Sequence, residues 1–260
     1  MLAYFLRRIA QLVPVLLVLS VVVFGFVEAL PGSVLDTLIG TEGGDDAETR
    51  EILAKEYGLD RPVHERYAKW LVRTVQFDFG NSLVTRRPIS LELMSRIPAT
   101  VYLATVGIML SMMIAIPLGT LAAVRRNSAV DYTAQVTSLA GISIPEFWFA
   151  ILCVLFFSLY LGWLPSSGFA NPFVDPWASL KFLILPAAAV GFRQAAYTTR
   201  LTRSSMLDEM NKEYVDTARS VGLSEGKVIF KYTLRNAMIP TITISGLQLA
   251  NLLGLSLIHI

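Results

Sequence analysis

Charge is scarce in this sequence. Only 16% of its 260 residues are Asp, Glu, Lys or Arg, where soluble domains carry about 25%. The net charge of +2 leaves no basic surface of the kind nucleic-acid binding requires, which excludes nucleic acid as a partner. Cysteine is almost absent. Cys153 stands alone in an apolar run, so no disulfide can form within the chain and the thiol reads as a small packing residue. The two histidines, His64 and His259, lie far apart with no Cys or carboxylate at ligand spacing, and no metal site is expected. H-E-x-x-H, G-x-S-x-G and G-x-x-x-x-G-K-[ST] are all missing, so the chain lacks the usual catalytic signatures and a phosphate loop of its own. No cofactor is implied.

What is abundant is apolar length. Hydrophobic residues make up 54% of the chain, mean hydropathy is +0.56, and these residues are clustered. Crossing ~30 Å of hydrocarbon takes ~20 apolar residues in a helix. Five segments qualify: Ile9–Leu30, Thr100–Val124, Tyr132–Leu161, Trp177–Tyr197 and Ala237–Ile258. The fourth holds Lys181 and Arg193, cations expected to snorkel to opposite interfaces. The first is longer than a signal-peptide core and is followed by "PGSVLD", not by an A-x-A-like cleavage site. The expected fold is an all-α, polytopic transmembrane helical bundle of five spans in a lipid bilayer.

Orientation follows from Lys and Arg near span ends. Arg7 and Arg8 precede the first span, Arg125 and Arg126 follow the second, and 193–236 holds Arg193, Arg200, Arg203, Lys212, Arg219, Lys227, Lys231 and Arg235. The connection 162–176 has no Lys or Arg. The N-terminus and 193–236 are therefore expected in the cytoplasm. The 31–99 connection carries nine Lys/Arg and eleven Asp/Glu, exceeds the length over which the rule holds, and is assigned outside. Two helices are predicted in it. "DDAETREILAKEYGLD" offers a Glu51–Lys55 pair and stops at Gly58; "DRPVHERYAKWLVRTV" is amphipathic through Val63, Tyr67, Trp70, Leu71 and Val75. The second either lies on the membrane surface, packs over the outer mouth of a pore, or is a lid with no ligand role.

Each span contains a proline: Pro14, Pro117, Pro145, Pro186 and Pro240. Each is either a bend or a tolerated membrane-helix proline. Glu146, in "SIPEFWFA", is a carboxylate where insertion costs about 2.5–3.5 kcal/mol. It must face protein or water. Two readings stay open, a pathway-lining contact or a hydrogen-bonded glutamate between helices. Glu28 sits near a span end and reads as interfacial.

Between the last two spans runs "EYVDTARSVGLSEGKVIFKYTLRNAMIP". Leu207, Met210, Tyr214 and Ala218 recur at helical spacing, Gly222 can end that helix with positive φ, and Ser224 fits the N-cap of a second helix running through Val228 to Ala237. This predicts a helix–turn–helix elbow.

The elbow resembles the cytoplasmic loop of ABC importer permeases, E-A-A-x3-G-x9-I-x-L-P. Aligned on Gly222, Ala218 and Leu234 match, Asp216 is conservative, and Thr217, Tyr232 and Arg235 depart. "YVDTARSVGLS" and "LRNAMIP", with "FLRRIAQLVPVLLVLSVVVF", "FDFGNSLVTRRPI", "RIPATVYLA", "GISIPEFWFA" and "GWLPSSGF", are similar to the dipeptide/oligopeptide/nickel branch. The resemblance covers nearly all of the chain. It implies one permease domain over 1–260, itself without catalysis, in a bacterial inner membrane, moving peptides or nickel. Implied partners are a second permease subunit, two cytoplasmic ATP-binding subunits and an extracytoplasmic solute-binding protein. The elbow would be the coupling helix docking on an ATPase, with Tyr214, Ala218 and Leu223 as its apolar surface, Gly222 as its turn, and Asp216 and Leu234 at motif positions. The family has six spans. Five are found here, which predicts a C-terminal truncation and leaves an alternative: a subunit that assembles with partners but does not transport.

Overall fold

The computed structural model describes residues 2–29, 54–55, 58–82 and 85–259. It divides into two compact units, 1–94 and 95–260. Among the described residues the chain is helical, with one isolated antiparallel bridge between Asn81 and Pro88.

In the first unit, helix α1 (Leu2–Ala29) carries the apolar run and buries none of it. Its half-buried positions, Ser20 and Phe24, meet α2 (Val63–Val75), the expected amphipathic helix. Tyr67 and Ser20 share a hydroxyl hydrogen bond of 2.8 Å. The rings of Phe24, Tyr67 and Trp70 lie with centroids 5.4 to 6.1 Å apart, a spacing typical of aromatic pairs. Glu28, read as interfacial, pairs with Arg66 of α2 at 2.6 Å. The earlier segment around Glu51 lies outside the described residues, and the turn at Gly58 has φ +67°.

The second apolar run is longer than expected. Helix α3 spans Ile89–Val124, 36 residues, so the last eleven residues assigned to the external connection, 89–99, are helical. Asn127 with φ +60° and Ser128, whose hydroxyl accepts from the Asp131 N–H, reverse the chain into α4 (Ala129–Ser143).

The third run departs most from expectation. It is not one straight span. It breaks at Ile144 and Pro145 into α4 and α5 (Glu146–Cys153), the latter continuing as π-helix over Val154–Tyr160, and the two arms meet at 98°. The local cause is steric. A residue before proline is driven out of the helical region, and Ile144 has φ −77°, ψ 125°. Pro145, extended itself, then serves as the cap of the next helix.

Helix α6 (Pro176–Met210) begins on Asp175, whose carboxylate accepts from the Ala178 N–H at 2.9 Å. It contains the whole fourth run and continues past it without a break. Among the described residues three helices are apolar and long enough to span by themselves, or four if the bent pair counts as one; α6 is not among them because of its polar residues. Helix α6 is central to the second unit, packing against α4, α5 and the last helix, α9 (Leu234–His259).

Many buried positions are small or hydroxylated: Ala104, Ala115, Ala122, Ala187 and Ala195 beside Thr100, Ser111, Thr198, Thr202 and Thr241, with a few larger side chains such as Met206 and Leu185 among them. Small side chains allow the close backbone approach by which helices associate in lipid. Gly119 shows the close approach of two helices. A Cβ there would lie 2.7 Å from the Thr199 carbonyl oxygen and 2.8 Å from Thr202 Cβ.

Candidate functional site

Two places in the second unit gather polar side chains. The first is the predicted elbow. Its first arm is α7 (Glu213–Ser220), separated from α6 at Asn211 and Lys212, where ψ at Lys212 swings to 145°. Leu207 and Met210 therefore belong to the long helix and not to the elbow. The arm ends on Gly222, at φ +84°. The Leu223 N–H donates to the Ala218 carbonyl and the Gly222 N–H to that of Arg219, the paired bonds of a Schellman close. Ser224 starts the second arm as expected, through its backbone: its side chain caps nothing, and its carbonyl accepts from the Val228 N–H.

The second arm is not a separate helix ending at Ala237. A short α8 (Glu225–Lys227) winds through a π-helical stretch, Val228–Thr233, directly into α9. The Thr233 hydroxyl donates to the Val228 carbonyl five residues back, at 3.0 Å.

Burial reverses part of the expected docking surface. Ala218 is buried with Val215 and Val228, and Tyr214 and Leu223 are half-buried against that cluster. Leu234 packs elsewhere, against Ala123, Met206 and Ala237. These apolar residues hold the elbow together. The outward apolar side chains are Val221 and Phe230, 75% and 66% exposed, with Asp216 exposed beside them. Arg219 joins the arms, reaching Asp216 at 3.3 Å and Glu225 at 3.0 Å.

Tyr214 is the tether. Its hydroxyl donates to the Glu209 carboxylate at 2.6 Å and accepts from the Asn236 amide at 3.1 Å, linking α7 to α6 and α9. Lys212 also meets Glu209, at 2.5 Å. Hydrogen bonds from Lys212 and then Tyr214 hold Glu209 below the usual carboxylate range. Burial, first, pushes the Tyr214 phenol up.

The second place is a cavity of about 690 Å³ between α4, α5, α6 and α9. Glu146 lines it from the first turn of α5, immediately after the break. Arg193, expected to snorkel away, instead faces Glu146 across 3.6 Å. Gln194, Tyr197, Gln248 and Asn251 complete the polar lining. A second ion pair on α6 differs in kind. Arg203 grips Asp131 of α4 with two bonds, of 2.5 and 2.8 Å, and Asp131 is fully buried, also accepting from Gln135 and from the Asn127 N–H. Neither partnership was read from the sequence. The available signal was Arg193 and Arg203 recurring ten residues apart on one helix, each needing an anion. No group of three His, Cys, Asp or Glu suited to a metal occurs among the described residues.

The comparisons with known proteins agree over the full length. Residues 115–259 match the family described as "Binding-protein-dependent transport system inner membrane component", and 1–104 match that family's N-terminal region. The oligopeptide transport system permease protein AppB of Bacillus subtilis (strain 168) is 40% identical over 99% of this chain and 82% of its own length. A putative peptide transport system permease protein of Brucella suis biovar 1 (strain 1330) is 38% identical, with the same coverage. The glutathione transport system permease protein GsiC of Salmonella typhi is 38% identical over 99% of this chain and 81% of its own.

Proposed function

Because the chain belongs to the family of binding-protein-dependent transport system inner membrane components, we propose that it moves peptides through the membrane as one of two permease subunits of an ABC importer. Proteins of this family are multi-pass inner-membrane components, and ATP hydrolysis belongs to separate subunits. The peptide cargo rests on the names its relatives carry. The partners of the reading are a second permease, two cytoplasmic ATP-binding subunits and an extracytoplasmic binding protein, with the N-terminus and the elbow on the cytoplasmic side.

The observation that carries the mechanism is the elbow. It offers a charged outer face with two exposed apolar side chains, Val221 and Phe230, on arms closed by a left-handed glycine. Apolar anchors ringed by polar groups are what a protein partner buries. In this reading the ATP-binding subunit grips Val221 and Phe230. Asp216, Gly222 and Leu223 shape the turn, and Tyr214, Ala218 and Leu234 fasten it to the spans.

The test is uptake in proteoliposomes by the full-length permease with its partners, ATP and a binding protein. Radiolabelled peptide should accumulate only with ATP. Gly222→Pro, which removes the φ of +84° because proline is fixed near −65°, should leave ATP hydrolysis running while uptake falls at least tenfold. Normal uptake by that variant would remove the elbow from the coupling path.

A further inference from the structure

The two ion pairs on α6 invite comparison. Arg203 and Asp131 are closed upon each other, bidentate and buried. Arg193 and Glu146 are not. Their closest atoms stand 3.6 Å apart, beyond the 2.7–2.9 Å of a charge-assisted hydrogen bond, and the side chains remain 54% and 31% exposed. Both open onto the same cavity, within reach of whatever occupies it. A guanidinium and a carboxylate carried on apolar membrane helices are costly unless they face protein, water or a ligand.

We infer that Glu146 and Arg193 form an open charge pair that parts to receive the ionised ends of a peptide in transit, Glu146 taking the ammonium and Arg193 the carboxylate. The inference rests on the reading of the chain as a peptide permease. A fork of N–H donors suits a carboxylate better than any point charge does. The surrounding groups suit the backbone between the ends. Thr198 donates to the Gln248 carboxamide oxygen at 3.4 Å, leaving the Gln248 NH2 to donate, while Gln194, Asn251 and Tyr197 line the same space. The pair also argues against a bare metal cation as the occupant, since the guanidinium facing Glu146 would repel it. A zwitterion brings both charges and leaves neither side chain uncompensated.

The pair sits at the break after Pro145, on the first turn of α5, where the helix N-terminus supports a negative side chain. Glu146 is thus carried by one arm of the 98° bend and Arg193 by another helix. Any change in the bend alters their separation, which provides a way to admit and release the ligand.

The experiment uses the complete permease complex in nanodiscs without a binding protein. Saturation-transfer NMR compares dialanine, N-acetyl-dialanine and dialanine amide. The unmodified complex should bind dialanine about tenfold more tightly than either capped form, the order expected for one charge-assisted contact. Glu146→Gln should erase the preference over the N-acetyl form and keep the preference over the amide; Arg193→Gln should do the converse. If Arg193→Gln fails to assemble, Arg193→Lys replaces it and must keep the preference over the amide. No binding of dialanine, equal binding of all three peptides, or variants that weaken all three alike would overturn the charge pair. Uptake of peptide by the unmodified complex, measured separately in proteoliposomes with binding protein and ATP, separates the two ideas. Uptake without end-dependent binding loses the charge pair alone, and no uptake of any peptide loses the permease reading itself.

Discussion

Asp131 is the most deeply committed charge in the second unit, held by Arg203, Gln135 and a backbone N–H. Removing one partner of such a pair strands the other, at a cost of about 3 kcal/mol. Asp131→Ala should therefore lower the unfolding midpoint of the purified complex by several degrees, while Asp131→Leu combined with Arg203→Met should recover much of the loss. A single variant as stable as the unmodified protein would make the pair incidental. Glu209 supplies the pH dependence. Its pKa is lowered in the folded chain, so its stabilisation is complete above the ordinary carboxylate range and is lost as pH falls through the lowered value. Amides of Glu213–Ser220 should exchange faster in acid than the intrinsic rate predicts, and Glu209→Gln should flatten that response. Neither partnership was legible in the sequence. Arg193 showed only as an impurity in an apolar run, because the carboxylate that faces it lies on another helix, 47 positions earlier in the chain.

The elements sort by how local their causes are. The amphipathic α2 and the left-handed Gly222 were readable, since periodicity and a single glycine decide them. The break at Pro145 was readable as a proline but not as a 98° turn, because packing against α6 selects among the bends a proline permits. The orientation of α7 was misjudged for a related reason. In so short a helix the apolar stripe of Val215 and Ala218 holds the arm to Val228 and is not free to meet a partner. Close packing of α3 on α6 gives the element-scale prediction. Gly119→Ala places a Cβ 2.7 Å from a backbone carbonyl and should cost about 1–3 kcal/mol by overpacking, read as a lower midpoint. An unchanged midpoint would mean the helices part freely there.

For the molecule as a whole the prediction concerns sidedness. Lys and Arg near the span ends favour a cytoplasmic elbow, and 31–99 is assigned to the opposite side. With Cys153, the only cysteine, replaced by Ala, Ser220→Cys should react with a membrane-impermeant maleimide only in inside-out vesicles. Phe77→Cys, on a residue 80% exposed, should react only in right-side-out cells. Labelling in the opposite pattern would invert the topology and take the elbow away from any cytoplasmic ATPase.

The unbroken course of the last helix has one more consequence. Residues 225 to 254 form one continuous helix that could span the membrane; its first turn belongs to the elbow, and Gln248 and Asn251 near its far end line the cavity. At 1.5 Å per residue these are about 35–39 Å apart, joined by a single covalent rod. A push applied by a partner at Glu225 thus needs no relay of rearranging contacts. The rod delivers it to the cavity wall as displacement, on the timescale of the push itself, and only its compliance, greatest at the π-wound stretch and at Pro240, sets how much of the stroke is lost on the way.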